Sequence, residues 1–258
     1  MKKIALFIVA LAAYSTAISQ DSSNTSDSNQ KFRLGLSFSP VLSWFATSGD
    51  AGLVQPDGTR LNIAFGLNTD FRIGENSQYY FSTGLFLLNT GGSIRHDYFV
   101  EDGGQFVLTE RTSDFRVNYV NIPVTIMLRT QEIGYSRYFG RVGFDAGVST
   151  KSTYDYRDTR DGIDYPQVED EDSSDLTSLF RFGLRVEAGF EYNIGGSTNL
   201  FFTAAYNHGL NNVFSKDYEL PKLDGNNEFI PSDDGSPQTE RRVKASTNLF
   251  TITAGAYF

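Results

Sequence analysis

The 258-residue chain contains no cysteine, two histidines, two methionines and one tryptophan. Without cysteine there is no disulfide framework, and with two histidines a His/Cys metal centre is nearly excluded. The sequence also has no apolar run of the roughly 20 residues that a membrane-spanning helix needs. Clustered lysine and arginine are missing too, and the formal charge of −9 argues against nucleic acid as a partner, since phosphate binding needs such clusters. What is abundant is phenylalanine (22), tyrosine (14) and glycine (24).

The N-terminus reads as a targeting segment. Met1, Lys2 and Lys3 are followed by a short apolar core over residues 4–13, then by Ala17 and Ser19 at the positions three and one before a cut. The expected division is a signal peptide over residues 1–19, a polar tether over 20–31, disordered by composition, and one domain over 32–258. No cysteine follows the apolar core, so attachment of a lipid there is excluded.

From residue 32 onward the dominant signal is a period of two. Residues 180–194 carry it without a miss: Phe180, Phe182, Leu184, Val186, Ala188, Phe190, Tyr192 and Ile194 alternate with Arg181, Gly183, Arg185, Glu187, Gly189, Glu191 and Asn193. This is the mark of a strand between two different environments, and its length suits a tilted strand crossing a bilayer. Similar alternation predicts strands at 32–45, 61–73, 79–90, 115–130, 137–149, 199–210 and 246–258. Pro40 is expected at a bulge or phase change. In 115–130 apolar residues pass from odd to even positions after Tyr119, which predicts a β-bulge. Phe86 and Leu88 blur the facing of the third strand.

Eight strands result, and their connections alternate long and short. Residues 91–114, 150–177 and 211–244 read as long polar loops, whereas GENSQ, QEIGYS and GGST are tight turns. In an antiparallel up-and-down barrel this puts every short turn on one rim, as in outer-membrane barrels with short periplasmic turns and long extracellular loops. A soluble barrel of lipocalin type has the same period with its faces exchanged. The ionisable character of one face, the bulk of the other, the leader and the final Phe258 favour the membrane barrel.

The segments NYVNIPVTIMLRT (118–130) and YNHGLNNV (206–213), with the glycine-rich strand before the latter and the aromatic last residue, resemble the PorT-like outer-membrane β-barrel family of Gram-negative bacteria. The resemblance runs from about Phe32 to Phe258. It implies a small barrel in the cell outer membrane, in a family some of whose members serve protein secretion, and it brings no catalytic set.

The chemistry-bearing residues are the charges on the inward faces: Arg181, Arg185, Glu187 and Glu191, with Arg137, Arg141 and Asp145 on the preceding strand and Asp70 and Arg72 on the second. Their near-balanced signs point to a closed ionic network filling a narrow bore; the competing reading is a polar channel for small solutes. His208 and His96 are the only candidates for a general base of a rim hydrolase or acyltransferase. The acidic stretch from Tyr154 to Asp175 could hold Ca²⁺ but lacks EF-hand spacing. The reading is therefore a non-enzymatic structural or interaction component without cofactor, in contact with outer-membrane lipid. A protein partner would be reached through the extracellular loops or the periplasmic face, which makes an accessory of a secretion or uptake system.

Overall fold

The computed structural model describes residues 31–47, 54–75, 78–160, 162–215, 219–222, 224, 230–232, 238–242 and 244–258. The expected signal peptide and all but the last residue of the tether lie outside these. Eight long strands carry the fold: β1 (Phe32–Thr47), β2 (Thr59–Arg72), β3 (Tyr79–Asp102), β4 (Gln105–Arg129), β5 (Ser136–Arg160), β6 (Phe180–Gly195), β7 (Thr198–Gly209) and β8 (Ala245–Tyr257). Each pairs antiparallel with the next. Strand β8 then returns to β1, in register from Gly35 opposite Tyr257 to Thr47 opposite Ala245. The ring is closed, which removes the exposed sheet edges that bare backbone would present to lipid.

The alternating faces separate by chemistry. Phe38, Phe65, Leu128, Phe144, Phe182, Phe202 and Ile252 point outward and are exposed, while Arg33, Asp70, Asp145, Arg181, Glu191 and Asn207 are buried inside. Leu128 and Phe144 are 53% and 58% exposed, a surface that suits hydrocarbon and rules against a soluble barrel with an apolar interior. On β4 the outward apolar stretch covers residues 120–128, which matches the roughly 9–11 residues that span a bilayer core at a tilt. Aromatic girdles bound the belt: Tyr135 lies 6.2 Å from Tyr192 at the short-turn rim, and Trp44 lies 6.3 Å from Tyr206 at the other. Such rings sit at the headgroup level.

Several local expectations are corrected. Pro40 causes no bulge: Phe38 opposite Ala254 and Val41 opposite Thr251 belong to one unbroken register, and Pro40 keeps its place opposite Ile63 on β2 although it has no N–H to give to the ladder. Nor do residues 115–130 change phase. Phe115, Val117, Tyr119, Asn121, Thr125, Met127 and Arg129 are all buried, so one face stays inward while its chemistry passes from apolar to polar. A bulge does fall where it was expected, beside Tyr119, but the extra residue belongs to the partner strand: Tyr119 pairs with Ser149 and Asn118 with Lys151, leaving Thr150 between them. Phe86 and Leu88 hold the inward phase on β3, with Leu85 and Leu87 outward.

The long polar loops are largely sheet. Strands β3 and β4 run on as a hairpin that turns at Gly103 and Gly104, whose φ angles of 60° and 83° fit the mirror-image turns of two-residue hairpins. Strand β5 continues to Arg160 and is flanked by the short strands Ile163–Asp164 and Val168–Asp172. The segment Val54–Pro56 adds to β3 at Ile94–His96. In the fourth connection Glu219–Pro221 pairs with Thr239–Arg242. Polar composition suggested loops here because the outward face of these extensions meets water rather than lipid, while the buried inward face carries polar residues such as His96, Thr109 and Ser113; alternation survives, but without a lipid side to make it apolar.

Candidate functional site

The bore is filled in layers. At the short-turn end, the start of β1 and the end of β2 bring Arg33 and Asp70 together, 2.7 Å apart. Across the barrel Arg33 also makes two hydrogen bonds of 2.8 Å to the Glu191 carboxylate on β6. Arg129, at the end of β4, donates to Glu191 at 3.1 Å and to the Tyr80 hydroxyl at 2.6 Å. The Arg33 guanidinium lies over the Tyr257 and Tyr80 rings, 4.4 and 4.9 Å from their centroids, so its faces are covered as well as its edges.

One layer further in, Arg141 donates to Glu187 at 2.6 Å and to the Tyr257 hydroxyl at 2.7 Å, and reaches Asp70 at 3.5 Å. Arg185 pairs with Glu187 at 2.5 Å and stands 3.6 Å from Asp145. Arg181 donates to the Asn207 amide oxygen, and Asn207 in turn donates to Asp145. Gly183 is needed here, because a Cβ at that position would collide with Asn207 Oδ1. The arginines Arg33, Arg129, Arg141, Arg181 and Arg185 thus face the carboxylates Asp70, Asp145, Glu187 and Glu191. In a narrow bore each charge needs such partners, since desolvation is costly.

Of the residues singled out in the sequence, Arg141, Asp145, Arg181, Arg185, Glu187, Glu191 and Asp70 meet in this lattice. Arg137 stands at its margin and pairs with Glu132 of the adjoining turn. Arg72 is half-buried at the short-turn end and is not among the lattice contacts above. Arg33, Arg129, Tyr80, Asn207 and Tyr257 were missed. The signal for Arg33, Arg129 and Tyr257 was their phase, opposite to the apolar residues of their own strands; for Tyr80 the blurred alternation of its strand gave none, because a tyrosine fits either face.

Toward the other end the filling turns apolar. Val41, Ala64, Leu88, Val117, Tyr119 and Leu249 pack together, and above them Phe45, Val54, Ile94, Phe115, Val213, Phe214 and Ala245 close the mouth. Phe214 comes from the fourth connection. Its ring lies 5.5 Å from that of Phe45 and 5.0 Å from that of Phe115. Backbone bonds from Val213 N to Ala245 O at 2.8 Å and from Ser215 N to Leu176 O at 2.8 Å hold the segment across the opening.

Outside the membrane, arginine–aspartate pairs lace the extended sheet. Arg111 is bidentate to Asp158, at 2.6 and 2.8 Å, and lies 4.0 Å over the Tyr156 ring. Arg116 meets Asp155, and Arg160 meets Asp102 at 2.6 Å. His96 is buried in this region in register with Arg111. Burial first, and the Arg111 guanidinium second, push its imidazole down to about 4. His208 instead faces outward on β7, opposite Leu184. Among the described residues no group of three or more His, Asp or Glu is arranged to hold a metal ion.

A closed antiparallel barrel with an apolar outer belt and an ionic interior is an outer-membrane β-barrel, and the protein resides in the outer membrane. Residues 18–215 match the family model described as outer membrane protein beta-barrel domain, and the chain belongs to that family. Among solved structures, Neisserial surface protein A (NspA) is similar at 11% identity, over 88% of this chain and 96% of that one, with a TM-score of 0.38. The attachment invasion locus protein Ail of Yersinia pestis is similar at 12% identity, over 89% and 100%, with a TM-score of 0.34. The outer membrane protease OmpT from Escherichia coli is similar at 10% identity, over 93% and 99%, with a TM-score of 0.37. No curated protein matches the chain.

Proposed function

We propose that the protein is a non-conducting, non-enzymatic barrel that presents its extracellular sheet to a protein partner, as an accessory of a secretion or uptake system of the PorT-like kind. One observation carries this reading: the bore is occupied along its length, by the arginine–carboxylate lattice in the periplasmic half and by the Phe45, Phe115 and Phe214 cluster at the mouth. A filled bore argues against a solute pore. What then projects from the membrane is a rigid sheet built on β3, β4 and β5, and binding residues collect on loops held by a scaffold. For catalysis, His208 and His96 face opposite sides of the wall, which argues against a shared active centre. The leader over residues 1–19 is read as the export signal, removed after Ser19.

Purification from outer membranes in mild detergent tests the reading: a stoichiometric partner is expected, lost when the β3–β4 hairpin beyond residue 91 is shortened to a tight turn. Stable, high single-channel conductance from the isolated protein would overturn it in favour of a pore.

A further inference from the structure

A cavity of about 360 Å³ opens on the outer wall of the barrel at the short-turn end, where β3, β4 and β5 lie side by side. Tyr79, Leu128, Thr130, Tyr138 and Gly140 line it. Its volume lies within the range of small-molecule sites, yet it faces the bilayer, since Tyr79, Leu128 and Tyr138 are outward and about half exposed.

The register explains the depression. Tyr79, Leu128 and Gly140 form one row across three strands, and the third position has no side chain. A Cβ built on Gly140 would come no nearer than 3.7 Å to another group, the Glu187 carbonyl. The neighbouring row toward the periplasm is a ridge of Tyr138, Phe190 and Phe202, with ring centroids 6.4 and 5.6 Å apart in turn. Thr130 stands where the belt meets water. Its Oγ1 accepts a bond from Tyr138 N at 3.1 Å, and a hydroxyl used as acceptor still has its proton to donate.

The cavity is continuous with the lipid-facing belt, so its occupant comes from the bilayer, and its position at the short-turn rim selects the periplasmic leaflet. We propose that it binds one phospholipid of that leaflet, with an acyl chain laid over Gly140 against the Tyr138 ridge and an ester carbonyl accepting from Thr130. The glycine acts here as a mould: its missing side chain makes room for a methylene chain.

Native mass spectrometry of the folded protein in detergent, titrated with palmitoyl-oleoyl phosphatidylethanolamine, tests the proposal. The unaltered protein is expected to retain one lipid, and Gly140→Phe to bind it about tenfold more weakly. Ala146→Phe, on the outer face of the same strand beside Ile122 and Phe182, is expected to bind as the unaltered protein does. Folding of each variant is checked by heat-modifiable migration; if Gly140→Phe does not fold, Tyr138→Ala, which removes the ridge, must show the weakening instead. Equal binding by the unaltered and cavity-altered proteins, or equal loss in the Ala146→Phe control, overturns the site.

Discussion

Glu191 is the residue on which the periplasmic half of the bore depends most. It holds Arg33 through two hydrogen bonds and Arg129 through a third, so its removal leaves two guanidinium groups buried without that carboxylate. Breaking a buried pair from one side costs about 3–5 kcal/mol. Glu191→Ala is therefore expected to lower the stability of the barrel refolded into lipid vesicles by that order, read as a shift of the urea midpoint, with Glu191→Gln milder because two acceptor contacts survive. A change below about 1 kcal/mol, the scale of exposed pairs, would show that the lattice does not restrain the fold. His208 gives the opposite expectation: it faces outward beside Leu184, and His208→Ala should leave both stability and any partner capture unchanged. Single residues were legible in the sequence only as far as their facing. Alternation gives the phase of Arg33 and of Glu191, but the contact between them joins residues 158 apart in the chain, and which charges meet across a bore depends on strand stagger, which no local pattern encodes.

At the scale of elements, the extension of β3, β4 and β5 beyond the membrane is where sequence and structure differ most. In the belt, lipid on one side and polar filling on the other write a sharp period of two; above it, water replaces lipid on the outer face and polar residues such as His96 and Ser113 sit on the buried one, so the contrast is erased and sheet reads as polar loop. The buried apolar residues Phe115, Val117 and Tyr119 looked like a change of phase because the filling of the bore passes from apolar to polar along the strand. His96 makes the outer hairpin sensitive to pH. Its folded value of about 4 lies below the usual 6.5, so between these values the opened hairpin takes up a proton that the folded one refuses. Its contribution is complete above pH 6.5 and falls as the pH drops toward 4, by about 3 kcal/mol over the window. Protection factors of the amides over residues 91–114, corrected for the slower intrinsic exchange at low pH, should fall across that window, and His96→Gln should flatten the dependence. A loss of protection confined to pH values below 4 would point to carboxylates instead.

For the whole molecule, two unlike closures stand in series, and this determines how the barrel responds to damage. The mouth is shut by side chains that pack, with Phe214 lodged against Phe45 and Phe115; the periplasmic half is shut by side chains that pair, with Arg141 bridging Glu187, Tyr257 and Asp70. Truncating a buried aromatic costs about 3–5 kcal/mol, so Phe214→Ala should loosen the fourth connection and speed proteolysis near residue 215. It should not create a channel, because ions entering from the mouth still meet the lattice. Arg141→Ala alone should likewise leave conductance at background, because the aromatic cluster stays in place. Only the double variant is expected to show ion flow in planar bilayers, as brief openings rather than a steady current, since Arg33 and Arg185 remain near the gap. If either single variant conducted as well as the double one, the other closure would be no barrier, and the bore would have to be regarded as a gated pore rather than a filled support for the sheet above it.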